Sequence, residues 1–384
     1  MLEAGEAAQR RVDAAIDRAL ADKRLVGTVV LIAHDGKVVY RRAAGFANRE
    51  TRTHMSAERI FRLSSLTKPM VSAAAMALVE QGRLGLEDAV TRWLPDFRPR
   101  LSDGREPKIT VRQLLTHTAG LGYGFLEAAG GPYHQAKVSD GLDESPVSLE
   151  KNVRRIASAP LLFEPGTNWM YSLALDVLGA VLERAANAPL AQIVSQRVTG
   201  PLGMSDTAFY CSEPTRLAVP YVDGKPEPVV MSDPAVVPFG TEAGIRFSPS
   251  RALNPHAYAA GGVGMVGTAE DFLRFLEALR KGGAPVLQHR TVEAMMSNQI
   301  GPLATFRGPG IGFGYGFAVV TDPVAALTPQ SAGTIEWGGV YGHRWFVDPH
   351  RRLSVVALTN TAFEGMSGAF PTELRDAIYA RAGQ

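Results

Sequence analysis

Strand-like runs gather at the two ends of this chain and helical periodicity fills its middle, a division that leaves few folds open. Val26 to Ala33 and Lys37 to Ala44 are rich in Val, Leu and Ile, and His34-Asp35-Gly36 joins them as a strong hairpin signal. Ahead of them, Met1 to Leu20 alternates Ala with Glu, Arg and Asp on a helical period. Four further strand-like runs, Gly314 to Val320, Gly333 to Trp337, His343 to Asp348 and Leu353 to Thr359, precede a final helix from Met366 to Ala382. Short turns such as Asp348-Pro349-His350 imply antiparallel pairing, because a parallel crossover needs about a dozen residues or more. Both ends therefore build one sheet. Ser65 to Gln81, Val111 to Thr118, Leu149 to Ala159, Leu173 to Ala186 and Leu190 to Val198 supply helices between them, punctuated by Pro and Gly. The expected class is α/β, more closely α+β: an antiparallel sheet flanked by the N- and C-terminal helices. Residues 1–84 and 205–384 form a discontinuous α/β domain, and 85–204 a mostly helical one.

Composition narrows the function. With 384 residues, 46% of them hydrophobic, the chain can bury a large core. A formal charge of +2 with no long single-sign run argues against nucleic acid or an anionic membrane surface as a partner. No window reaches the roughly 18 to 20 apolar residues that cross a bilayer. Met1 to Leu20 lacks the continuous apolar stretch of a signal peptide, so the expected location is the cytoplasm. The single cysteine, Cys211, excludes an internal disulfide, a four-cysteine zinc site and a Cys-x-x-Cys pair, and is read as a buried or indifferent thiol. None of the eight histidines forms His-Glu-x-x-His, and neither a metal nor another cofactor is expected.

A serine becomes a useful nucleophile when a neighbouring group takes its proton, and a lysine three positions later on a helix lies one turn away. Ser65-Leu66-Thr67-Lys68 and Ser148-Leu149-Glu150-Lys151 both have that spacing, so spacing alone does not choose. An apolar, Ala-rich run follows the first, which places Ser65 at a buried helix N-terminus. Burial at the positive end of a helix disfavours a charged amine, which suits Lys68 to act as a base. The bland alternative is a helix cap and a lysine whose stem lies along apolar surface. Ser148 opens a charged helix after Asp143-Glu144-Ser145-Pro146 and is read as an ordinary N-cap.

Three segments together make a more specific pattern: Ser65 to Lys68, Phe163-Glu164-Pro165-Gly166 before Tyr171-Ser172-Leu173, and Trp337-Gly338-Gly339-Val340 at a strand end. Leu114 to Leu121, Gly261 to Gly264 before Thr268 to Asp271, and Leu358-Thr359-Asn360 fall in order around them. In these motifs the chain resembles the serine β-lactamase and penicillin-binding protein superfamily, and within it the family VIII carboxylesterases of the EstB-like kind. The resemblance implies the β-lactamase/penicillin-recognising fold with an active site between the two domains, and no cofactor. It implies Ser65 as nucleophile, Lys68 as base or proton relay, and Tyr171 as the phenol that carries the proton to the leaving group. The backbone N–H groups of Ser65 and Val340 would form the oxyanion hole, with Gly338 and Gly339 admitting the substrate carbonyl.

The departures from that pattern bear on substrate. β-Lactamases and peptidases of the superfamily begin the strand motif with lysine and end the tyrosine motif with asparagine, where this chain has Trp337 and Leu173. Exchanging a cation and an amide for two apolar surfaces favours neutral, short-chain esters over anionic, amide-rich substrates. A small-molecule ester is therefore the expected partner, with weak β-lactam hydrolysis as a side activity. The alternatives are a β-lactamase, a D-alanyl-D-alanine peptidase, an acyl transferase of the same fold, or a catalytically dead binding homologue. Tyr123, Phe125 and Tyr133 are candidates to wall the acyl site, and His343 to line the pocket; each has a core role as its alternative.

Other signals are set aside. Gly262 to Gly267 matches a dinucleotide fingerprint, but no apolar strand leads into it, and Thr268 with Asp271 explains the run as a helix entry. No serine has glycine two before and two after it, so the nucleophile elbow of α/β-hydrolases is absent. His117, in a helix-ending Thr-His-Thr-Ala-Gly run, is read as making a structural hydrogen bond. Gly130 to Pro146 reads as a long loop that borders the site or is a solvated excursion. Gly308 to Gly316 reads as a flexible approach to a strand.

Overall fold

A computed structural model describes residues 6–380, apart from the side chains at 241 and 242. The outermost turns expected for the terminal helices, 1–5 and 381–382, lie outside the described residues. Eight strands form one antiparallel sheet: β1 (Gly27–His34), β2 (Lys37–Asn48), β3 (Thr53–His54), β4 (Ile311–Phe313), β5 (Ala318–Val320), β6 (Ile335–Gly339), β7 (His343–Asp348) and β8 (Leu353–Thr359). Their order is β4-β5-β6-β7-β8-β1-β2-β3, so the two ends of the chain meet where β1 pairs with β8. The β1–β2 turn has Asp35 at φ 50° and Gly36 at φ 84°. Positive φ at both central residues is what a tight hairpin following the strand twist requires.

β1 reads as a continuous apolar run because both its faces are buried. Val30 and Ile32 pack with Val12 and Ile16 of α1 (Glu6–Ala21) and with Phe370, Leu374 and Ile378 of the C-terminal helix Ala369–Tyr379. Val29 and Leu31 face the larger core, shared with α2 (Thr67–Glu80) and the helix Ala269–Arg280. Every residue of α2 from Thr67 to Leu78 is buried, as expected of a helix that is apolar on all sides. The same cluster continues into α3 (Val111–Leu115), α4 (Leu149–Ser158), α5 (Ala174–Ala186) and α6 (Leu190–Val194), so the helical segment and the sheet share one core. Among the described residues no helix is long and apolar enough to cross a membrane.

Several boundaries differ from expectation, for local reasons. The run 314–320 is not one strand: β4 and β5 form a hairpin, and Gly314 to Phe317 is its turn. Gly316 has φ 96°, and a side chain there would strike Ser72 of α2, so the backbone turns against that helix. The stretch 308–316, expected to be a flexible approach, therefore contains β4. α3 stops at Leu115, before a turn in which His117 takes φ 57°. α6 ends at Val194 and continues as a wider turn through Thr199. The last helix breaks at Gly368. The hairpin Ala235–Phe239 with Thr241–Phe247 has no sequence signal strong enough to place it.

Trp345 of β7 is fully buried between Phe272 and Phe317. Truncation to alanine leaves a cavity that neighbours on two layers fill only in part. Trp345→Ala is expected to lower the unfolding free energy by about 3–5 kcal/mol, read as a fall in the urea midpoint at unchanged slope.

Candidate active site

The chain enters α2 through a single 3₁₀ turn, Ser64–Leu66, so regular helix begins at Thr67 and Ser65 lies in the turn before it. Ser64 has φ 46°, a conformation uncommon for a residue with a side chain, and Ser65 is buried beside it. The three-residue spacing brings Lys68 beneath the serine, with Nζ 3.3 Å from Ser65 Oγ. Tyr171 comes from an irregular segment ahead of α5 and puts its hydroxyl 2.6 Å from the same oxygen. That segment is pinned on both sides of the tyrosine: the Met170 N–H donates to His117 C=O at 3.0 Å and the Leu173 N–H to Gly122 C=O at 3.0 Å. Ser148, the competing serine, caps α4 by accepting the Lys151 N–H at 3.2 Å.

Lys68 is 0% exposed, so its amine depends on protein partners. Besides Ser65, Nζ lies 3.0 Å from Tyr123 Oη and donates to Gly262 C=O at 2.9 Å. It also lies 4.5 Å from the centre of the Tyr171 ring. Asp176 Oδ1 accepts the Gly262 N–H at 2.7 Å, so one peptide unit links this carboxylate to the lysine. Burial pushes the Asp176 carboxyl up to about 6, against the pull of the Gly262 N–H and the Lys68 charge. His117, held below its ordinary range by burial and then by Lys68, shares a 3.0 Å hydrogen bond with Ser172 Oγ. It is a structural histidine, as expected.

β6 ends against the serine turn. A Cβ at Gly339 would lie 2.5 Å from Ser64 Oγ and 2.8 Å from Leu63 C=O, and one at Gly338 would lie 2.8 Å from Met366 Cγ. These glycines are thus required by protein packing as well as by the close approach expected of a substrate carbonyl. Val340 follows directly, beside the turn that holds Ser65. Trp337 packs on Tyr171 with ring centres 5.3 Å apart, its Nε1 a long 3.5 Å from the phenol oxygen.

The remaining candidates are mostly packed in the core. His343 is fully buried, its Nε2 2.8 Å from Arg62 C=O and its ring edge-on to Phe61. Burial lowers it to about 4. It is therefore a packing residue behind β6 and does not reach the serine's partners. Tyr133 Oη accepts the Gly122 N–H at 3.0 Å. Phe125 stacks on Tyr123 at 4.6 Å, and Leu173 is a buried residue at the entry to α5. The loop 130–146 holds a short helix, Pro132–Gln135, and sends Asp140 back to accept the N–H groups of Gly124 and Phe125.

Sequence reasoning misses three members of this network: Asp176, the Gly262 carbonyl and the Tyr123 hydroxyl as a partner of Lys68. The available signal is the glycine pair 261–262, since a Cβ at 262 would lie 2.9 Å from Tyr123 Oη and 3.3 Å from Lys68 Nζ. Among the described residues no group of three or more His, Cys, Asp or Glu side chains could hold a metal. Two surface grooves of about 730 and 820 Å³ are lined mainly by helical-segment residues and contain none of these candidates.

An unfolded aspartate ionises near 3.8, whereas folded Asp176 does so near 6. Between those values the native state keeps a proton that the unfolded chain has released, so this group makes stability fall as pH rises. An asparagine side chain does not titrate and carries no such loss. The stability of Asp176→Asn relative to wild type is expected to rise between about pH 4 and pH 6, by up to about 3 kcal/mol, on top of a constant offset from the altered hydrogen bond. A pH-independent difference in urea unfolding would contradict it.

The chain matches the Beta-lactamase family over residues 12–380. It is 55% identical to esterase EstB of Burkholderia gladioli over 373 residues, covering 97% of this chain and 95% of the relative. It is 28% identical to lovastatin esterase of Penicillium rubens over 381 residues, covering 89% and 90%. The solved structure of EstCE1, a hydrolase with promiscuous acyltransferase activity, superposes with a TM-score of 0.95 at 48% identity, covering 98% of this chain and 99% of that one. Fold, motif order and these likenesses agree: the chain belongs to the beta-lactamase family.

Proposed function

We propose that the protein is a serine carboxylesterase that cleaves small neutral esters through an acyl-enzyme on Ser65. The observation that carries this is one buried hydroxyl held 2.6 Å from a phenol and 3.3 Å from an amine. Ser65 Oγ attacks the ester carbonyl carbon while its proton passes into the Lys68–Tyr171 pair. The backbone N–H groups of Ser65 and Val340 hold the oxyanion. As the tetrahedral intermediate collapses, the carbon–alkoxide bond breaks and Tyr171 returns a proton to the leaving oxygen. Water, deprotonated by the same pair, then attacks the acyl carbon and Ser65 leaves with the proton restored. Asp176 and Tyr123 keep Lys68 aimed.

Ser65 and Lys68 come from the frame formed by 1–84 and 205–384, and Tyr171 and Tyr123 from the helical part 85–204, which supports a cleft between the two. The esterase relatives support the reaction class, and Trp337 and Leu173 in place of a lysine and an asparagine support neutral substrates. Acyl transfer to an alcohol in place of water is the second reading, favoured by the acyltransferase activity of EstCE1.

Ser65→Ala is expected to lose about a thousandfold or more of the turnover of p-nitrophenyl butanoate, and Tyr171→Phe about a hundredfold or more, both with unfolding curves like the wild type. Unchanged turnover in either variant would refute the assigned role. The wild type is expected to prefer this ester over a chromogenic cephalosporin, and comparable efficiencies would point to a β-lactamase instead. Trp337→Lys should shift preference toward carboxylate-bearing esters, and an unmoved preference would sink the pocket argument.

A further inference from the structure

Phe306 is a large apolar side chain left 64% exposed, yet its ring is not stray. It packs against Trp169 at 5.3 Å, Trp337 at 6.0 Å and Tyr171 at 6.1 Å, three aromatic residues that are themselves buried. Phe306 is thus the outer member of an aromatic cluster built around the phenol of the proposed proton path.

The loop that presents it is tied down. Arg307 lies over the Trp337 ring at 5.9 Å and is ion-paired with Glu336, which Arg344 also meets at 2.7 Å. Thr305 Oγ1 accepts the Arg307 N–H at 3.2 Å and donates to Ile311 C=O at 3.3 Å. Glu336 and Trp337 are consecutive on β6, so the neighbour of Phe306 is clamped to the strand that ends at the serine turn. The exposed ring is held in place, and an apolar ring held at the surface gains free energy when an apolar group covers it.

The position of the cluster selects which half of a substrate does so. Ser65 Oγ lies 2.6 Å from Tyr171 Oη, and Trp337 Nε1 approaches the same oxygen from within the ring cluster. The bond that breaks is between the acyl carbon and the oxygen that receives the phenol's proton, so the group attached to that oxygen extends toward the rings around the phenol. We propose that Phe306, with Trp337 behind it, forms the binding wall for the alcohol half of the ester and makes the enzyme selective for bulky apolar alcohols, aryl or branched alkyl. This rests on the ester-hydrolase reading and specifies its substrate class.

The test uses two ester series on wild type, Phe306→Ala and Phe306→Trp. One series keeps the butanoyl group and varies the alcohol from methyl to benzyl; the other keeps the methyl alcohol and varies the acyl chain. In Phe306→Ala the benzyl-to-methyl ratio of kcat/KM is expected to fall about tenfold, chiefly through KM, while the ranking of acyl lengths stays as in wild type. Phe306→Trp, which keeps a ring, should retain most of the benzyl preference. A ratio unchanged in Phe306→Ala, or a shift in acyl ranking in its place, would overturn the assignment while leaving the esterase reading intact. Failure of the wild type to hydrolyse any of the esters would remove both.

Discussion

The site rests on a contact with no room for a side chain: the end of β6 presses on the turn at Leu63-Ser64, and only glycine at 339 allows it. Through that contact the large sheet fixes the turn that holds Ser65. Two backbone hydrogen bonds, to His117 and Gly122, fix the segment that holds Tyr171. The hydroxyl and the phenol come from segments far apart in sequence, and a shift of about 1 Å in either would open their 2.6 Å contact. Placement here is done by main chain and by close-packed glycine, which are stiffer supports than rotatable side chains.

Two buried carboxylates show how the same fold treats charge in opposite ways. Glu336 faces Arg307 and Arg344, and although burial opposes its ionisation the two guanidinium groups outweigh it and hold it at about 2. It is a fixed anion that fastens a loop to a strand. Asp176 is as deeply buried, but its partners are one backbone N–H and the more distant Lys68, so burial prevails and it rises to about 6. The number of charged hydrogen-bond donors, two against none, decides the sign of the shift.

How much of this is legible in the sequence depends on whether a feature is local. β1, β2, β7 and β8 can be placed because apolar runs and the Asp35-Gly36 turn carry their own signal, and Ser148 is recognisable as a cap from its charged, proline-preceded context. The breaks at Gly316 and His117 escape because they answer to Ser72 and to the packing of other segments, which no window of sequence contains. The Ser65–Lys68 spacing alone is ambiguous, since it occurs twice; sequence context separates the two strings, and the resemblance then joins the first to Tyr171 and Trp337. Asp176 lies within an apolar helix pattern and Gly262 within a run set aside as a false fingerprint, so neither announces itself. His343 packs behind the strand, while Gly339 also lets β6 press close against the serine turn.

β1, made early, lies between β2 and a strand made near the end, and α1 rests beside the last helix, where the Arg11 guanidinium donates to the carbonyls of Ala377 and Ala380. During synthesis the first hairpin must therefore wait with an unpaired apolar edge while the whole helical segment is translated. The turn that holds Ser65 leans on β6, also a late strand, so a nascent chain contains Ser65 and Lys68 long before the strand that supports their turn is made. Closure of the sheet and support of the Ser65 turn are thus completed together, at the end of the chain.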